Sequence, residues 1–82
     1  MINFHRFSIS PVKVRILYIK KLLNEIGYNL EENIYDDKLY KKSLKKFQIE
    51  NNFVGNCTIT PDVFNALLRK VPNANKIWES MR

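Results

Sequence analysis

Cysteine is almost missing from this chain of 82 residues: Cys57 stands alone, which excludes an internal disulfide and a thiolate metal cluster. It reads as a small loop residue, with an intermolecular bridge or a reactive thiol as the alternatives. Histidine is equally scarce, since His5 is single and no partner for a metal site or a catalytic pair lies near it in the sequence. The two glycines, Gly27 and Gly55, are too few and too far apart for a phosphate-cradling loop. No apolar run approaches the roughly 18 residues of a membrane-spanning helix, and MINFHRFSIS lacks the continuous apolar stretch of a secretory signal. The expectation is a protein without a membrane span or Sec signal, either cytoplasmic or delivered elsewhere by another route. Acidic residues are also short, eight against fourteen Lys and Arg, and the net charge of +6 favours an anionic partner such as nucleic acid, acidic lipid or cell-wall polymer. The carboxylates that exist cluster in one loop with no apolar pocket to raise a pKa. No Ser/His/Asp or Cys/His set is present, so the reading is a non-enzyme with no cofactor and no metal.

What remains is helical punctuation. Ser10 and Pro11 form a helix start, the Val12, Ile16, Ile19, Leu23, Ile26 spacing gives one apolar face, and Gly27 stops the helix. Val14, Leu17 and Tyr18 lie off that face, which calls for a second cover; the arm carrying Ile2, Phe4, Phe7 and Ile9 is the simplest one, and a partner is the alternative. The residues from Tyr28 to Asp37 read as a structured acidic loop, and Asp36 or Asp37 caps the next helix. In that helix Tyr40, Leu44 and Phe47 share one side while Lys38, Lys41, Lys42 and Lys45 share the other, so one face is core and the opposite face positive. Asn51 and Asn52 form its exit, and Thr60, Pro61 and Asp62 open a third helix whose apolar face is Val63, Phe64, Leu67, Leu68 and Val71. Three helices are therefore predicted near 11–27, 37–51 and 61–71, enclosing Ile16, Ile19, Leu23, Leu44, Phe47, Phe53, Ile59, Phe64 and Leu67. Ile77, Trp78 and Met81 make one further helical turn that packs.

Together, Ile16, Ile19, Lys20, Leu23, Gly27 and Tyr28, then Leu44, Phe47 and Gln48, then Asn51, Asn52, Phe53, Ile59, Phe64 and Leu67 form a pattern that resembles the peptidoglycan-binding domain family. This is a small three-helix module often attached to cell-wall hydrolases. The likeness covers residues 14–71, and Leu44-x-x-Phe47-Gln48 is its strongest single match. Lys20 stands where the family carries glutamine. Glu32, Asn33, Ile34, Tyr35, Asp36, Asp37 and Tyr40 occupy the region where it carries Asp-Gly, an aromatic, Gly and Thr.

The resemblance implies an all-α fold: a compact three-helix bundle of the peptidoglycan-binding-domain-like type, with an extended N-terminal arm and a short C-terminal helical turn. The organisation is an arm over 1–10, the domain over 11–72 and a packed tail over 73–82. The implied function is a non-catalytic module for peptidoglycan or a related wall polymer, reached through phage lysis, an injection apparatus or a particle. The alternative is an intracellular protein-interaction module; nucleic-acid binding ranks third, because the connections are longer than the three or four residues of a helix-turn-helix. Candidate ligand-binding residues are Asn33, Tyr35, Tyr40, Gln48, Lys41, Lys42 and Lys45. Each also has a structural reading: the tyrosines complete the core, the Gln48 amide ties a loop, and the lysines form a solvated face.

Overall fold

A computed structural model of the chain describes residues 11–81. These fold as four helices in the order α1 (Pro11–Glu25), α2 (Lys38–Glu50), α3 (Pro61–Lys70) and α4 (Ala74–Ser80), with no strand among the described residues. The all-helical class and the places of the first three helices match the expectation, with ends shifted by one or two residues. The arm over 2–9 and the Ser10 cap lie outside the described residues.

The helix ends follow from local chemistry. Gly27 has φ 110, and the amide of Tyr28 reaches the Leu23 carbonyl while that of Gly27 reaches Asn24, which closes α1 with a Schellman turn. The same pair of bonds recurs at the end of α2, from Phe53 to Gln48 and from Asn52 to Ile49, with Asn52 as the left-handed residue at φ 66. Asp37 caps α2 by accepting from the Tyr40 amide, and Thr60 caps α3 by accepting from Val63, with Pro61 beside it.

The element on which the others pack is α1 rather than α2. Its residues Val14, Tyr18, Ile19, Leu22 and Leu23 are all buried and point in several directions, so the helix is enclosed around much of its circumference. Both α3 and α4 lie against it. α2 contributes Tyr40, Leu44 and Phe47 to the same core, and α3 contributes Val63, Ala66 and Leu67. Of the residues expected inside, Ile19, Leu23, Leu44, Phe47 and Leu67 are buried; Ile16, Phe53, Ile59 and Phe64 pack against the core but keep some exposure.

The second face of α1 finds its described cover in the C-terminal segment. Tyr18 donates from its hydroxyl to the Ala74 carbonyl at 3.1 Å and meets the Trp78 ring edge-on at 5.2 Å. It also lies 6.1 Å from Phe64, so one tyrosine joins α1, α3 and α4. Burial pushes the Tyr18 hydroxyl pKa up, which keeps it a donor at neutral pH.

Two substitutions should separate packing from backbone conformation. Phe47→Ala removes a ring that is 1% exposed at the centre of the core and is expected to cost about 3–5 kcal/mol in urea unfolding. Gly27→Ala meets no atom within 4 Å, so its expected loss of about 1–2 kcal/mol is conformational alone. An unchanged unfolding midpoint in either variant would refute the corresponding assignment.

Candidate functional site

The candidate residues gather around α2, and the structure divides them into an inner and an outer set. At the N-terminal end of the helix, the inner set is built on Lys20. This side chain has 0% exposure, and its ammonium donates to Asn33 Oδ1 at 2.6 Å, Asp37 Oδ2 at 2.9 Å and the Tyr35 carbonyl. The Tyr40 ring covers it, with its centroid 5.6 Å from the nitrogen. An ammonium removed from water needs this degree of compensation, three acceptors for three protons and one of them charged.

The neighbouring positions on α1 hold the rest of the same loop. Lys21 pairs with Glu32 at 2.8 Å, and the Asn24 amide both accepts from the Leu30 amide at 2.7 Å and donates to the Leu30 carbonyl at 2.9 Å. The Lys21 and Asn24 bonds hold the Glu32 carboxyl below its ordinary pKa. Asp37 is lowered as well, first by the Tyr40 amide that it caps and then by Lys20.

At the other end of α2, Gln48 is also fully buried. Its Nε2 donates to the Thr58 carbonyl at 2.9 Å and to Asn56 Oδ1 at 3.3 Å, while Oε1 accepts from the Cys57 amide at 2.9 Å. With both donor hydrogens and the oxygen engaged internally and no exposure, the Gln48 amide shapes the 53–59 turn and is out of reach of a ligand. The turn holds Cys57 at φ 61 and directs its Sγ to the Lys41 carbonyl at 3.2 Å.

Of the seven candidates, Gln48 and Tyr40 are therefore core residues, and Asn33 has its Oδ1 bound to Lys20 and to the Tyr35 amide. Tyr35 projects outward at 64% exposure. Lys41, Lys42 and Lys45 form the outer set, joined by Lys38 and by Lys46, a residue the sequence reading left out of the stripe; all five are exposed. None of them takes part in an ion pair among the described residues. Leu39 and Ile49, at 50% and 55% exposure, lie on the same helix. A shallow hollow is lined by Lys42, Lys45, Lys46, Ile49 and Glu50. The loop covers this end closely: a methyl group on Gly55 would come within 2.9 Å of the Ile49 side chain.

The charge order on α2 runs against its dipole. Lys38, Lys41 and Lys42 sit in its first half, where a positive charge is disfavoured, and Glu50 sits at the last position, where a negative one is. Lysines at 38 and 42, 41 and 45, and 42 and 46 repel one another at i, i+4 spacing by about 0.2–0.5 kcal/mol per pair. Compared with known proteins, the chain matches no family model, no curated protein and no solved structure. Among the described residues, no helix is long and apolar enough to cross a membrane.

The Lys20 cluster makes a prediction about charge. Asp37→Asn keeps a good cap but leaves the Lys20 ammonium with neutral oxygens only, so it should destabilise, and adding Lys20→Met should recover part of the loss. Asp37 has a lowered pKa, so its contribution is present above the ordinary value of 3.8 and disappears as pH falls through the lower folded value. The gap in melting temperature between wild type and Asp37→Asn should accordingly close on acidification below about pH 4. A gap independent of pH, or no recovery in the double variant, would contradict the charge compensation.

Proposed function

We propose that the protein is a non-catalytic binding module that holds peptidoglycan or a related anionic cell-wall polymer on the outer face of α2. On this reading α1, α2 and α3 correspond to the three helices of the peptidoglycan-binding domain family that the sequence resembles, and α4 is an addition. The observation that carries it is the set of five exposed lysines that form no ion pair among the described residues, three of them in the first half of the helix where its dipole disfavours them, and spaced so that they repel one another. Such an arrangement lowers the stability of the free protein and is relieved when an anionic partner neutralises it. The repeat of charges along one rigid helix suits a polymer with regularly spaced carboxylates or phosphates. Tyr35 supplies an exposed ring that can lie against a sugar face.

One observation favours a second reading, a protein-interaction module. Leu39, Ile49 and Val54 are exposed large apolar side chains, the first two on α2 itself and Val54 just beyond it at 75% exposure. A protein partner with acidic and apolar side chains would match both features.

Co-sedimentation with purified sacculi decides between these. Retention should be strong at low salt, fall as ionic strength passes about 0.15 M, and drop at least about tenfold in Lys42→Glu/Lys45→Glu. Tyr35→Ala should weaken binding by a smaller factor that salt does not alter. Failure to bind sacculi at low salt, or tighter binding to nucleic acid than to sacculi, would overturn the wall-polymer reading.

A further inference from the structure

A second hollow, of about 260 Å³, opens where the first half of α1 faces the start of α2 and the 57–59 turn. Its walls include Arg15, Ile16, Asp36, Tyr40, Lys41, Cys57 and Ile59. Three features set it apart from an ordinary surface dent. Tyr40 is 5% exposed, and its hydroxyl has no hydrogen-bond partner among the described residues. No fully buried side-chain polar atom of the described residues lacks a partner, and Tyr40 is one of the residues lining the hollow. Arg15 and Asp36, of opposite charge and both lining the hollow, form no ion pair with each other. Ile16 and Ile59 supply an apolar wall beside them.

A buried phenol lining a hollow that also holds charges of both signs, Arg15 and Lys41 against Asp36, fits a ligand that carries both complementary charges on a short frame. We propose that this hollow binds an α-amino-acid zwitterion, as a free amino acid or as a short peptide whose two termini reach both charges. The carboxylate is held by the Arg15 guanidinium, which offers a planar fork of donors, and by the Tyr40 hydroxyl. The ammonium is held by the Asp36 carboxylate, and a small aliphatic side chain rests on Ile16 and Ile59. Burial, and secondarily the nearby Asp36 charge, push the Tyr40 pKa up to about 12, so the hydroxyl is fully available as a donor at neutral pH. The partial enclosure of the hollow strengthens these contacts relative to open solvent. Lys41, at the edge of the lysine face, borders this hollow as well, but the contacts proposed here do not depend on that face binding a wall polymer.

The test is an amide-resolved NMR titration of the full chain with alanine, alanyl-alanine, N-acetylalanine and alaninamide. Saturable shifts should centre on Arg15, Asp36, Tyr40 and Cys57. Blocking either charge of alanine should weaken binding about tenfold or more, the usual consequence of losing a charge-assisted hydrogen bond. Tyr40→Phe keeps the ring over Lys20, should melt as wild type does, and should bind about fivefold more weakly. Arg15→Met and Asp36→Asn should each remove saturable binding, whereas Lys42→Glu/Lys45→Glu should leave it unchanged. Tighter binding of alanyl-alanine than of alanine assigns the site to peptide termini, and the reverse order to free amino acids. Equal affinity for the blocked analogues, shifts centred elsewhere, or no saturation by any of the four compounds would overturn the proposal.

Discussion

The buried ammonium of Lys20 sets the terms for the first half of this domain. A lysine with no exposure is tolerated only if its charge is answered on the spot, and here the answer comes from Asn33, Tyr35 and Asp37, residues 13 to 17 positions further on. That requirement determines the path of the 30–37 loop. Its consequence extends into α2, because Asp37 uses one oxygen for Lys20 and the other to cap the helix through the Tyr40 amide. The entry of α2 is thereby fixed against α1, and the Tyr40 ring is brought over the ammonium. A single side chain couples loop, cap and core.

The exit of α2 solves the same problem with a neutral group. Gln48 offers two donor hydrogens and an acceptor, and the 53–59 turn folds so that Asn56, Cys57 and Thr58 meet them. Both ends of the helix are thus held by buried polar groups whose partners are all internal. The face turned away from them is left without any internal role that would explain five lysines. This separation leaves the outer face of α2 exposed and outside the internal contacts that hold the two ends of the helix.

Much of the scaffold was legible because it rests on short-range chemistry. The caps at Asp37 and Thr60 and the left-handed exits at Gly27 and Asn52 each depend on residues within one helical turn. The centrality of α1 was not legible in this way. The spacing calls for a second cover over Val14 and Tyr18 and for a packed C-terminal turn, but not for the meeting of the two, in which Tyr18 bonds the Ala74 carbonyl and meets the Trp78 ring, nor for the burial of Leu22. The burial of Lys20 was hidden for the opposite reason: lysine is among the residues least often enclosed, and its partners are nonlocal. Among the candidate site residues, the lysines were legible as a face, while the inward turn of Tyr40 and Gln48 depended on tertiary packing. Their spacing with Leu44 and Phe47 was the available signal, because it placed them on the apolar side of the wheel.

The position of Lys20 also bears on which groups of the following loop remain open to solvent. If a glutamine stood there, its neutral amide would make no demand for a carboxylate and the following loop would be free of this tether. Lysine adds a charge whose burial is tolerable only with Asp37 in place, so the two residues have to be present together. Once they are, the loop is drawn onto α1 by the ammonium, by the Lys21–Glu32 pair and by the Asn24 amide. Polar groups that a flexible loop would offer to a ligand are then engaged in holding the fold. What the loop still presents outward is the Tyr35 ring, and what the helix presents is its lysines. The tether thus consumes the loop's polar groups and leaves the exposed lysine face of α2 uninvolved in holding the fold.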